Sequence, residues 1–245
     1  MLHKHALKTV EKVWFLNEED CNFFVKQHIV QQERVRVIPG EGVDTDRFIP
    51  RIKMPDKFSF IYCGRMLKSK GVELYVSAAE QLHPVFPDVK WKLLGPIESP
   101  TKDSISPREM EDWVKDGHIQ YLGVAKDVVP LLMDTSCLVL PSYYHEGIPR
   151  SLMEASSMQI PIITTDWVGC HDVVTHEKNG ILCTPRDLEE LIEAMRTMIL
   201  TDSETLQKMG IEGRKIVLEK YDIHLIINIY SNYLKDYFLQ KQSLD

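Results

Sequence analysis

Residues 136–155 read SCLVLPSYYHEGIPRSLMEA: a short apolar run, a turn closed by glycine and proline, and the opening of a helix. SCLVLPS (136–142) has the continuous apolar character of a strand buried on both faces. Gly147 lets backbone come close to a ligand, Pro149 suits a first helical position, and a helix carrying Ser151, Leu152 and Glu154 presents unpaired amides at its start. Such a start attracts phosphate. Two acids, Glu146 and Glu154, nevertheless stand eight positions apart on either side of it. Glu154 is too far along the helix to meet phosphate, but a carboxylate accepts two hydrogen bonds from a vicinal diol such as ribose. Glu146, in the loop before the helix, faces a different group of hydroxyls. The pair then holds two sugars with a diphosphate between them. Eight helical residues span roughly 12 Å, which suits that arrangement better than the about 5 Å between the carboxylates of a retaining glycosidase.

Working outward, strand-like and helix-like segments alternate. KVWFLN (12–17) precedes EEDCNFFVKQHIV (18–30), whose Phe23, Phe24 and Ile29 share a helical face. RVRVIP (34–39) runs into the turn-rich GEGVDTDRF (40–48), and KFSFIYCG (57–64) is a buried strand feeding the basic loop RMLKSKG (65–71). A helix over 72–82 follows, then strands WKLLG (91–95) and IQYLG (119–123), with helices over 107–115 and 126–133. Beyond the opening stretch come strands QIPIITT (159–165) and NGILCT (179–184), then helices over 186–199, 203–220 and 223–240. The pattern predicts an α/β fold, a mostly parallel Rossmann-like sheet flanked by helices. In such a sheet ligands bind outside the carboxyl ends of the strands. GRMLKSKG, LGP and SYYHEGIPRSLMEA all fall at such ends, which predicts one composite site. There Arg65 and Lys70 add fixed positive charge for two phosphates.

Composition limits the alternatives. The 245 residues carry 29 Lys and Arg against 36 Asp and Glu, a net charge of -7, which argues against general affinity for nucleic acid or anionic membrane and leaves room for a local basic pocket. The five cysteines are odd in number and lack CxxC or Cys/His spacing, so reduced thiols in a cytoplasmic protein are expected and no metal is assigned. No run of about 18 apolar residues or signal-peptide core is present.

GEGVDTDRF, GRMLKSKG, EGIPRSLME with its E-x7-E spacing, GCHDVV and NGILC, in that order, resemble the carboxyl-terminal half of a GT-B glycosyltransferase of the large retaining family (glycosyl transferases group 1) that includes sucrose synthases and bacterial capsule and lipopolysaccharide enzymes. The resemblance runs from about Val13 to Met198. It implies one half of a GT-B fold, transfer with retention, and no cofactor beyond a nucleotide-diphosphate sugar as donor. Arg65 and Lys70 match the diphosphate-binding pair, Glu154 the ribose-binding acid and Glu146 the acid facing the donor sugar. The backbone of Gly64 and of Gly147, Ile148, Pro149, Arg150, Ser151 and Leu152 would meet sugar and phosphate. Leu94, Gly95, Tyr121 and Leu122 lie where the family holds the base. The wording GIPRS is similar to enzymes that use UDP-hexoses or UDP-N-acetylhexosamines in surface-polysaccharide synthesis, with a glycan or polyprenyl-diphosphate-linked acceptor.

The same resemblance divides the chain. Residues 1–35 look like a crossing segment at the end of an amino-terminal domain that has no counterpart here, 36–221 like the nucleotide-sugar domain, and 222–245 like a helix packing back toward the absent domain. Contact with the inner face of a membrane would belong to the whole enzyme. KYDIHLIINIY departs from the Phe-Ser that opens the last helix in relatives. Plainer readings stand beside these. Arg65 and Lys70 suit a solvated loop, Glu154 an exposed helix position, His145 a structural neighbour, and Tyr143 and Tyr144 either wall the cleft or bind sugar. A dinucleotide oxidoreductase lacks its GxGxxG here. A non-catalytic nucleotide-sugar-binding module, or an epimerase or phosphorylase of the same fold, remains as the alternative function.

Overall fold

The computed structural model describes residues 6, 7, 9–145 and 147–242, the last three of these by backbone alone. The elements run β1 (Val13–Phe15), α1 (Glu18–Lys26), β2 (Val35–Val37), β3 (Ser59–Cys63), α2 (Val72–Leu82), β4 (Lys90–Leu94), α3 (Pro107–Val114), β5 (Ile119–Tyr121), α4 (Val129–Met133), β6 (Cys137–Leu140), α5 (Arg150–Ser157), β7 (Ile162–Thr165), β8 (Gly180–Cys183), α6 (Leu188–Leu200), α7 (Ser203–Lys220) and α8 (Ile223–Gln242). Six strands form one sheet in the order β5-β4-β3-β6-β7-β8, every pairing parallel. The chain winds outward from β3 to β5, returns to β6 beside β3, and winds the other way to β8. The order therefore reverses between β3 and β6, the place where an open parallel sheet leaves a crevice at its carboxyl edge.

The strands read as unbroken apolar runs because helices cover both faces of the sheet. Phe60, Ile61, Tyr62, Leu138, Val139, Ile162 and Ile163 are all fully buried. Phe60 pairs with Trp91 on one side and Cys137 on the other, and its ring stacks on the Trp91 indole at 5.2 Å. A charged side chain enters this core. Lys92 on β4 sends its ammonium to the Asp134 carboxylate at 2.7 Å, since a buried cation needs a partner.

Local signals set the helix boundaries. Asn17, Ser106, Asp187 and Asp202 each accept a hydrogen bond from an amide of the first turn, capping α1, α3, α6 and α7. α1, expected over 18–30, stops at Lys26 because His28 turns the chain with φ at 52°. α4, expected from 126, starts at Val129, whose amide bonds the Asp127 carboxylate at 3.1 Å.

β1 and β2 pair in parallel as a separate two-stranded sheet with its own small core of Phe15, Cys21, Val30 and Val35. Two strands are too few to stand alone in water, and this unit leans on the larger one. Trp14 lies 5.0 Å from both the Tyr230 and Tyr233 rings of α8. On the other side, the first turn of α1 meets two histidines of the larger unit, Asp20 to His145 at 2.7 Å and Glu19 to His171 at 3.5 Å.

α7 packs against α5 through two glycines, and Arg214 ties the pair to the loop before β3 by bonding the Phe48 and Ser157 carbonyls at 3.0 and 2.5 Å. A β-carbon on Gly210 would lie 2.2 Å from the Gln159 carbonyl oxygen, whereas one on Gly213 would make ordinary contacts with the Ser156 hydroxyl at 3.4 Å and the Asn179 amide nitrogen at 3.6 Å. Gly210→Ala is expected to cost about 1–3 kcal/mol through forced separation of the helices. Gly213→Ala should be neutral or gain up to about 1 kcal/mol of helix propensity. Urea midpoints at neutral pH measure both, and equal midpoints would contradict this account of the helix contact.

Candidate functional site

At the reversal between β3 and β6 a cleft of about 510 Å³ opens at the carboxyl ends of the strands. Its walls come from four places: the end of β3 and the loop after it (Cys63, Gly64, Arg65, Lys70), the loop before β3 (Arg47, Phe48), the approach to α4 (Lys126, Val128), and Leu140 with the start of α5 (Pro149, Arg150, Ser151, Glu154). Backbone contact brings the first and last of these together. Gly71, at φ 77°, closes the turn of Lys68–Lys70 so tightly against β6 that a β-carbon there would sit 2.1 Å from the Pro141 carbonyl oxygen. No other residue fits that approach.

The loop after β3 is pinned from several sides. The Tyr62 hydroxyl donates to the Arg65 carbonyl at 2.8 Å, and the Asp103 carboxylate accepts from the Ser69 amide at 2.9 Å. Arg65 thus projects from fixed backbone while its guanidinium stays exposed, and Lys70 is only 7% exposed. Arg47, Lys126 and Arg150 complete a set of five cations lining the cleft. Arg47 is held by Asp127 at 2.9 Å. GEGVDTDRF reads as a turn, and Arg47 and Phe48 within it are the residues that reach the cleft. Lys126 carried no motif signal.

α5 begins at Arg150, one residue later than the sequence reading placed it, so Pro149 is the preceding residue and supplies no cap. Its carbonyl accepts from the Leu152 and Met153 amides at 3.1 and 3.4 Å. The partial positive charge of an uncapped helix start therefore faces the same cleft as Arg65 and Lys70. One turn further in stands Glu154, its side chain 12% exposed and 3.6 Å from Arg150. Burial raises the Glu154 carboxyl above its ordinary value, partly offset by the charges of Arg150 and Arg47. Burial beside Glu154 also pushes the Cys63 thiol up to about 12, which removes it as a nucleophile at neutral pH.

The remaining expected residues lie around this cleft rather than on its walls. Leu94, Gly95, Tyr121 and Leu122 occupy the ends of β4 and β5, one strand further out, where the Tyr121 hydroxyl donates to the Gly95 carbonyl at 2.9 Å. Gly147 backs onto Leu16, Ile148 packs over Gly40, and the Leu152 side chain is fully buried in the core. His145 is tied to Asp20, as a structural neighbour would be. Tyr143 and Tyr144 stand beside the cleft, not in its wall. Glu146 lies outside the described residues.

A larger hollow of about 870 Å³ lies between the end of α1 and the turn at 28–34. It is remote from the strand ends and from the convergent basic groups, so the smaller cleft is the candidate site.

Comparison with known proteins agrees with this geometry. Residues 57–201, well over half of the chain, match the family model for glycosyl transferases group 1. The N,N'-diacetylbacillosaminyl-diphospho-undecaprenol alpha-1,3-N-acetylgalactosaminyltransferase of Campylobacter jejuni is 24% identical over 243 residues, covering 94% of this chain and 61% of that enzyme. Among solved structures, Anabaena HepE in complex with UDP-glucose superposes with a TM-score of 0.82 at 19% identity, covering 94% of this chain and 65% of that one. The carboxyl-terminal domain of a glycosyl transferase group 1 protein, LpcC, from Francisella tularensis gives 0.62 at 24% identity, covering 74% of this chain and all of that domain. The fold is thus the expected one-half of a GT-B architecture, the chain spans less than two thirds of the length of the whole relatives it matches, and it belongs to the glycosyl transferases group 1 family.

Proposed function

We propose that the chain is the donor-binding half of a retaining glycosyltransferase that moves a hexose from a UDP-hexose or UDP-N-acetylhexosamine to a glycan or polyprenyl-diphosphate-linked acceptor in surface-polysaccharide synthesis. The observation that carries this reading is the meeting, in one cleft, of Arg65 and Lys70, the uncapped start of α5, and the buried carboxyl of Glu154. The first two suit a diphosphate and the third a ribose. Glu146 is assigned to the donor sugar, Gly64 and the backbone of 147–152 to sugar and phosphate, and Gly95, Tyr121 and Leu122 to the base side. Residues 36–221 form the donor domain, 1–35 and 222–245 the segments facing the amino-terminal domain. Work at the inner face of a membrane follows from a lipid-linked acceptor, which the Campylobacter relative's name carries. No helix among the described residues is long and apolar enough to cross a membrane.

The chemistry asked of these residues is electrostatic. As the bond from the anomeric carbon to the diphosphate lengthens, negative charge grows on the leaving oxygen, and fixed cations with aligned amides stabilise it without reorganising. No metal is needed for that step, and no other cofactor is proposed. The acceptor hydroxyl must also be placed, and such positioning supplies about 7–11 kcal/mol of a barrier. That part is assigned to the remaining domain.

Calorimetry tests the donor site. UDP should bind more tightly than UMP, and Arg65→Ala or Lys70→Ala should each weaken UDP by roughly 1.5–3 kcal/mol, the scale of a charged hydrogen bond. Equal affinity for UDP and UMP would remove the diphosphate assignment.

Glu154 gives a test with two signs. Its carboxyl is raised in the folded state, so ionising it costs stability relative to the protonated form. Glu154→Gln should therefore melt at an equal or higher temperature at pH 7 while binding UDP more weakly. Wild-type affinity should fall as pH drops through the raised value toward 4.5, and Glu154→Gln should lack that fall. A wild-type pH profile in the variant would separate Glu154 from the ribose.

Transfer itself should require the rest of the enzyme. With radiolabelled UDP-sugars and lipid-linked acceptors, the chain alone should show no glycosylation and the chain with an amino-terminal domain restored should. Efficient transfer by the chain alone would place the acceptor site within these 245 residues, and donor binding without transfer in both forms would favour a binding module.

A further inference from the structure

The tyrosine pair between β6 and α5 has no role in the donor-site reading, yet its placement is specific. The Tyr143 amide donates to the Ser69 carbonyl at 2.8 Å and the Tyr144 amide to the Ser142 hydroxyl at 3.2 Å. The pair is thereby tied both to the turn that carries Lys70 and to the buried end of β6. From the far side Arg186, in the left-handed region at φ 66°, lays its guanidinium 4.4 Å from the centre of the Tyr143 ring. A non-glycine residue held there is braced by its surroundings. Tyr144 therefore projects from a fixed backbone. Its ring centre lies 5.2 Å from the Arg65 guanidinium carbon and 5.2 Å from the Lys70 nitrogen. Those two cations line the cleft and Tyr144 does not.

We propose that Tyr144 is a positioning residue for the diphosphate, its ring face holding Arg65 and Lys70 so that both present to the cleft together; this rests on the cleft being a nucleotide-diphosphate site. The physical basis is the negative face of an aromatic ring, which attracts cations within about 6 Å of its centre. A single ring within reach of both acts on the two cations at once and is already in place when the ligand arrives. The hydroxyl takes no part in this, so the face and not the phenol is what matters.

The test uses the whole chain, with UDP and UMP as probes in calorimetry and Arg65→Ala as the reference. Tyr144→Phe should retain wild-type affinity. Tyr144→Leu should weaken UDP roughly threefold to tenfold, the range that a cation–π contact converts to, and change UMP less than twofold. Placing one, two and then three fluorines on a phenylalanine at position 144 drains the ring face without altering its shape, and should weaken UDP stepwise at an unchanged melting temperature. The fluorine series keeps the proposal testable where the leucine variant folds poorly. Flat affinity across that series, or equal losses for UDP and UMP in Tyr144→Leu, overturns the proposal. A loss of UDP binding in Arg65→Ala with none in Tyr144→Leu overturns it while leaving the donor site standing, whereas wild-type UDP affinity in Arg65→Ala overturns both.

Discussion

Backbone contact at the carboxyl edge of the sheet is the constraint on which the rest of this structure depends. A β-carbon on Gly95 would lie 1.9 Å from the Gly64 carbonyl oxygen, and one on Gly71 would lie 2.1 Å from that of Pro141. At these two places the ends of β3, β4 and β6 approach until there is no room for a side chain. The loop from Gly64 to Gly71 is therefore pressed between the end of β4 and the end of β6. Arg65 and Lys70, which it carries, line the same cleft as the start of α5. Parallel order alone opens a crevice there. Close approach makes it narrow enough for groups from two loops and a helix to act on one ligand.

Charge follows from the same narrowing. The chain as a whole is acidic, at -7, while five cations line the cleft. Net charge sets long-range behaviour, but a concentrated patch sets what binds locally. Lys70, at 7% exposure, is dehydrated before any ligand arrives, so its interaction with an entering anion is screened less than that of a surface lysine. Glu154 is the counterpart. Its burial is unfavourable by the direction of its pKa, and a carboxylate kept at such a cost is the pattern of a functional group more than of a packing one.

The sequence made the sheet readable because each central strand is a continuous apolar run and helices intervene between them. Five ordered motifs made the family readable, and the match over 57–201 bears that out. What escaped reading was set by tertiary contact. Pro149 carries the residue type of a first helical position, yet the helix begins after it at Arg150. Arg47 and Lys126 sit in segments whose local pattern reads only as turn and helix approach, and nothing but the folding of both over the end of β3 brings them to the cleft. α1 was read four residues too long because the apolar spacing of Ile29 and Val30 continues past Lys26, where His28 takes a left-handed turn that spacing does not reveal. The aromatic pair at 143–144 was visible as a pair. That one ring spans two cations was not.

The small unit of β1, α1 and β2 is held to the larger unit by contacts unlike those of either core. Aromatic stacking on Trp14 is indifferent to pH, but the acidic first turn of α1 meets imidazoles. Burial alone would lower the pKa of His171. The hydrogen bond that its ring donates to Asp166 and the charges of Asp172, Glu19 and Asp166 outweigh that and raise it. A histidine raised in the folded state contributes stability fully below its unfolded value of 6.5 and loses it as pH climbs through the raised one. The join through His171 is thus firmer at mildly acidic pH than at alkaline pH, while the neighbouring Asp20 of the same turn meets His145, which lies between β6 and α5. The first turn of α1 therefore touches two separate connections of the sheet, the one that leads into α5 and the one that follows β7.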